Sequence, residues 1–225
     1  MKKHIILSLL LALAIIGAAC SQTANTNHST MNHNGMNHNS MMNSNSTNSN
    51  MNHNGMDHSS MNHAEMKSDA NAASAPYDLQ FIDTMIHHHQ GAVDMAKMID
   101  GKTQNAELIK FGKQIVADQE KEISQMKEWR EKWFKGAPRA MNMEMPGMAD
   151  SMKMDMSKLS SAKDKAFDVL FIEMMIPHHD GAITMGREAL PKSEKPEIIT
   201  LANQIIKAQE AEIKMMNEWK AKWSK

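Results

Sequence analysis

Two stretches of this chain concentrate side chains that bind metal ions. Residues 85–95 read MIHHHQGAVDM, and residues 175–185, offset by 90 positions, read MIPHHDGAITM. Imidazole suits Cu(I), Cu(II), Ni(II) and Zn(II); the methionine thioether is a soft, neutral donor that suits Cu(I) and Ag(I) and serves Zn(II) or Mg(II) poorly. On a helix, with a turn of about 100° per residue, Phe81, Met85, His88, His89, Ala92, Met95, Ala96 and Ile99 share one face. In the second copy that face carries Phe171, Met175, His178, His179, Ala182, Met185 and Ala189. Each copy thus turns two His and two Met toward a core. His87 falls on the opposite side, where solvent exposure and at most a peripheral role are expected. Its counterpart is Pro177, which lacks an N–H and predicts a kink or break just before His178 and His179.

Each motif is followed by a second periodic segment. Leu108, Phe111, Ile115, Gln119, Glu122, Met126, Trp129 and Trp133 step by three and four, as do Ile198, Leu201, Ile205, Gln209, Glu212, Met216, Trp219 and Trp223. One Gln and one Glu interrupt each apolar stripe. A buried carboxylate needs a partner, and the histidine pair is the natural one. A carboxylate that accepts the N–H of a ligating His fixes its tautomer and raises its basicity. Glu122 and Glu212, with Gln119 and Gln209 behind them, are therefore expected to support the ligands, and Met126 and Met216 extend the thioether set. Taken singly, a core His is usually hydrogen-bonded and a Met at helical spacing is usually packing. The same constellation written twice favours a metal site.

Soft donors also occur where no core can form. Residues 21–75 are rich in Asn, Ser, His and Met, lack the apolar content to fold alone, and are expected to be disordered. They hold five His-x-x-Met units: His33 with Met36, His38 with Met41, His53 with Met56, His58 with Met61 and His63 with Met66. Methionine as core filler does not explain Met among Asn and Ser; a flexible chain that wraps a soft ion and orders on binding does. The tail resembles the His-x-x-Met segments of periplasmic silver- and copper-binding proteins. Between the repeats, residues 141–156 read MNMEMPGMADSMKMDM. This stretch reads as another soft-metal segment or, alternatively, as a hydrophobic clip docked on the fold.

These residues need helices to position them. Each repeat, 77–134 and 167–224, reads as two helices joined around DGKTQ or LPKSEKPE. One hairpin cannot bury both its apolar stripes, so two pack together as an all-α four-helix bundle over residues 76–225, with 135–166 as linker. Aromatic residues are only 4% of the chain, which argues against a large β-sandwich, and a net charge of −1 gives no basic field for nucleic acid. At the N-terminus, Lys2 and Lys3 precede a short apolar run ending in Gly17, Ala18, Ala19 and the single cysteine, Cys20. This reads as a signal peptide over 1–20 with a lipobox-like end. Lipidation at Cys20 would tether the protein to a membrane, with Ser21 resembling an outer-membrane sorting residue; plain secretory cleavage into the periplasm is the alternative.

The motifs MIPHHDGAITM and MIHHHQGAVDM, each followed by a Gln-x-x-Glu-Ile helix, resemble the domain-of-unknown-function 305 family over most of residues 77–224, with the tail outside the family domain. The resemblance implies a ferritin-like helical bundle in exported proteins associated with copper. It implies the His pairs His88, His89, His178 and His179 and the methionines Met85, Met95, Met175 and Met185 as the metal set. His87 departs from the family's usual Pro. The expected function is buffering or sequestration of Cu(I), with Ag(I) or Cu(II) as further cargo, outside the cytoplasm and without catalysis. Two rivals stay open. A ferritin-like di-metal oxidase needs a Glu-x-x-His pair and carboxylate-rich ligation, but Glu173 precedes His178 by five residues and Asp83 falls off the core face. A Ni(II) or Zn(II) protein using His alone leaves the methionines unexplained.

Overall fold

The computed structural model describes residues 67–223. Residues 1–20, read as a signal peptide with Cys20, and the tail residues from His33 to Met66 expected as metal donors lie outside the described residues. Six helices follow in order: α1 (Tyr77–Lys97), α2 (Ala106–Phe134), α3 (Met148–Ser151), α4 (Met156–Ser161), α5 (Asp164–Lys192) and α6 (Pro196–Trp223). Helices α1 and α2 form one antiparallel hairpin, α5 and α6 the other, and α1 meets α5 across the middle of a four-helix bundle.

Local chemistry sets the ends. The Asn105 side chain caps α2 by accepting from the N–H groups of Glu107 and Leu108, at 3.1 and 3.4 Å. Pro196 opens α6, where its missing N–H costs nothing. Pro177 is different. Helix α5 runs through it, and through Pro191, without interruption, so the break expected before His178 is absent. Phe171, Ile172 and Met175 before it and His178, His179 and Ala182 after it are all buried. Burying each large apolar side chain contributes about 1.5–3 kcal/mol, which together outweighs the roughly 3 kcal/mol that an interior proline costs.

The linker is not a free loop. Met141, Met143, Met145, Met148, Met152 and Met154 are all buried in the main core cluster, so residues 140–156 form a strap docked as a hydrophobic clip. Its first residues are bonded to α1. Ala140 N–H donates to Asp83 at 2.9 Å, Asn142 N–H to Thr84 Oγ1 at 2.9 Å, and the Asn142 amide to Gln80 at 2.8 Å. Arg130 of α2 closes on the other oxygen of Asp83 at 2.6 Å. Asp83, off the core face as expected, is nonetheless buried and ion-paired, because the strap covers the face of α1 that a bare helix would leave to solvent.

Residues 67–75, which the sequence pattern assigns to the disordered tail, also have defined structure. They contain a 3₁₀ turn at Ala72–Ser74. Asp69 accepts two bonds from Arg139 at 2.9 Å and one from Met141 N–H at 2.8 Å, fastening the segment to the strap. Burial works to raise the pKa of Asp69, but the Arg139 and Met141 bonds, with Arg139 and His87 nearby, hold it below the ordinary carboxylate range. His87 is accordingly half-buried beside this junction rather than fully exposed. Among the described residues no helix is long and apolar enough to cross a membrane.

Candidate metal centre

Packing of α1 against α5 brings the two copies of the motif face to face. His88, His89, His178 and His179 are fully buried. The rings of His88 and His178 lie 3.8 Å apart between centroids, tilted by 35°. His89 and His179 sit outward of them, 6.2 and 6.3 Å from their sequence neighbours. Met85, Met95, Met126, Met175, Met185 and Met216 are fully buried in the surrounding core.

The outer imidazoles meet the carboxylates of the partner helices. His89 Nε2 lies 2.7 Å from Glu122 Oε2, and His179 Nε2 lies 2.7 Å from Glu212 Oε2. An ionised carboxylate only accepts, so the imidazoles donate. The glutamates are not themselves buried: their side chains keep 22% and 21% exposure, so each is solvated on one side and needs no second partner. Gln119 and Gln209 are buried, and their side-chain oxygens have no hydrogen-bond partner among the described residues.

The inner pair is completed by the strap. His88 Nε2 lies 3.1 Å from Ser151 Oγ. The second contact appears where α1 has no side chain: a Cβ built on Gly91 would stand 3.2 Å from Met152 Cε, 3.3 Å from His178 Nε2 and 3.5 Å from Met154 Cε. Two thioether methyl groups and an imidazole nitrogen thus surround one point. Met152 and Met154 were legible only as members of a Met-rich stretch; nothing local in the sequence pairs them with His178. Burial, and then the neighbouring His178, His89 and His179, hold His88 well below the usual imidazole range.

This donor set is soft. Among the described residues no group of three or more His, Cys, Asp or Glu side chains could hold a metal ion. The residues that do converge are imidazoles and thioethers, a combination that fits Cu(I) or Ag(I) and not Mg(II) or Zn(II).

The family profile described as Domain of unknown function (DUF305) matches residues 10–130 and again 131–220. The chain belongs to the DUF305 family. The first match takes in the tail, which the motif resemblance alone had left outside the family domain. Solved structures of CopM are similar to this DUF305 chain. The Cu(I)-bound form is 38% identical, with a TM-score of 0.56, over 66% of this chain and 99% of that one. The Cu(II)-bound form is 41% identical, with a TM-score of 0.57, over the same shares. An Ag-bound form is 39% identical, with a TM-score of 0.54, over 65% of this chain and 96% of that one. A DUF305 protein of Streptomyces coelicolor, described as a candidate secreted protein, is 27% identical, with a TM-score of 0.60, over 65% of this chain and 92% of that one. No curated protein matches the chain.

Proposed function

We propose that this chain is an exported copper-binding protein that buffers or sequesters Cu(I), with Ag(I) as a second cargo, outside the cytoplasm. It contributes to metal tolerance and catalyses no reaction. The observation that carries this reading is the convergence of His178 Nε2 with the methyl ends of Met152 and Met154, beside the buried ring of His88. Similarity to CopM, solved with Cu(I), Cu(II) and Ag bound, supports it. His88, His89, His178 and His179 with Met152 and Met154 hold the ion, while Glu122 and Glu212 orient the outer imidazoles. The His-x-x-Met tail captures ions and the bundle retains them. The signal-like segment over 1–20 directs export, and lipidation at Cys20 holds the protein at a membrane facing the periplasm.

The test is competition between Cu(I) and Zn(II) for the mature chain with and without residues 21–66. The proposal expects Cu(I) to be retained against excess Zn(II) in both, with fewer ions bound per chain when the tail is removed. Equal affinity for Zn(II) in the tail-free chain would remove the case for thioether ligation.

A further inference from the structure

The hydrogen bonds around the buried imidazoles determine which ring nitrogen each one can offer. A neutral imidazole carries one N–H, and a buried N–H without an acceptor is costly. Among the described residues, the nitrogen of His88 with an acceptor beside it is Nε2, 3.1 Å from Ser151 Oγ. Nδ1 of His88 is buried and has no hydrogen-bond partner among the described residues. Ser151 is free to accept there because its own single proton goes elsewhere: Oγ donates to Met148 O at 2.9 Å. That carbonyl also takes the N–H of Met152 at 3.2 Å, one donor for each of its two lone pairs. The proton of His88 therefore sits on Nε2 and the lone pair on Nδ1. His89 and His179 reach the same state by another route. Their Nε2–H groups face Glu122 and Glu212 at 2.7 Å, and their Nδ1 atoms are buried with no hydrogen-bond partner among the described residues.

We propose that Ser151 is a positioning residue that fixes His88 as the Nε2–H tautomer, so that His88, like His89 and His179, offers Nδ1 to a soft metal ion. The two glutamates sit on the bundle helices, 33 residues beyond their histidines in each repeat. Ser151 comes from the strap, 63 residues beyond His88. Docking of the strap thus prepares a ligand as well as covering the core. The ligation half of this inference rests on the soft-metal reading above; the tautomer half does not.

Long-range ¹H–¹⁵N correlation spectra of the histidine rings in the full mature chain separate the two. Without metal, His88, His89 and His179 are expected as Nε2–H tautomers. In Ser151→Ala, His88 alone should lose that preference, while Ser151→Thr, which keeps the hydroxyl, should restore it. An Nδ1–H tautomer at His88 in the wild-type apo protein would overturn the proposal whether or not any variant folds. So would an unchanged His88 in folded Ser151→Ala. Addition of Ag(I) should then move the Nδ1 resonances of the three rings, and Ser151→Ala should weaken Ag(I) binding by about 10-fold, the lower end for lost support of a ligand. Movement of Nε2 instead would overturn the ligation half. Correct apo tautomers with no ring nitrogen moved by Ag(I) would overturn that half together with the metal reading, and leave the tautomer assignment supported.

Discussion

The two repeats carry the same motif, yet the strap treats them differently. Gly91 and Gly181 hold equivalent places two residues after the histidine pairs. Gly91 looks onto the methyl ends of Met152 and Met154 and onto His178. Gly181 is pressed against strap backbone: a Cβ there would lie 2.3 Å from Ser151 Cβ and 2.4 Å from Gly147 O. The strap passes so close because Gly147 adopts φ +90°, and a Cβ on Gly147 would in turn meet Gly181 O at 2.4 Å. The inner histidines diverge accordingly. His88 is bonded to Ser151, while His178 faces thioethers. A duplicated hairpin supplies symmetric parts, and one asymmetric connection gives the two inner histidines different surroundings.

The largest expected effect follows from that glycine pair. Gly181→Ala should push the strap off α5 and destabilise the fold by about 3 kcal/mol, the upper end for overpacking a filled core. At Gly91 only thioether ends and a ring edge must yield. The crowding from Gly91→Ala, about 1 kcal/mol, is offset by the similar amount that Ala gains over Gly in a helix. Its stability should be close to wild type and its Cu(I) binding weakened. Denaturant unfolding of both variants checks this, and equal losses would show that the strap does not distinguish the repeats.

Next come the outer pairs, where the repeats should agree. Glu122→Gln and Glu212→Gln should each weaken metal binding by roughly 10–100-fold with little change in helicity. Circular dichroism and Cu(I) titration together read this. If both variants unfold while affinity per folded molecule is unchanged, the His–Glu pairs are structural and carry no ligand support. A smaller effect concerns protons. Because His88 is held well below the usual imidazole range, the unfolded chain binds a proton near the ordinary pKa of ~6.5 that the folded chain refuses. Stability of the apo protein should therefore be full above that pH and decline as pH falls below it. Replacing His88 by Gln should flatten the slope in denaturant titrations between pH 7 and pH 5. Smallest of all, His87→Ala should change stability by only about 0.5 kcal/mol, as expected away from the tightest packing, and leave Cu(I) affinity unaltered; a marked loss of affinity would give the first repeat a ligand that the second lacks.

These contrasts also mark what could be read from sequence. The offset of 90 positions and the stepping of Leu108 to Trp133 are local and periodic, so the hairpins, the bundle and the facing of Glu122 toward His89 were all legible. The strap was not. Met-x-Met alternation has no single buried period, and its seat depends on one backbone meeting, Gly147 against Gly181, between residues far apart in the chain. The burial of Asp83 was not legible for the same reason: a helical wheel puts it off the core face, and the strap covers that face. That α5 continues through Pro177 instead of breaking was not decided by sequence, because local hydrogen bonding argued for a kink or break while tertiary burial on both sides holds the helix together.

The central claim is that strap methionines and bundle histidines share one ion. X-ray absorption at the copper edge of the Cu(I)-loaded chain lacking residues 21–66 tests it most directly, in the wild type and in the double variant Met152→Leu, Met154→Leu. The account predicts mixed sulfur and nitrogen scattering in the first, and loss of the sulfur shell with retained nitrogen in the second. Nitrogen or oxygen scattering alone in the wild type, or a sulfur shell that survives the double substitution, would contradict it.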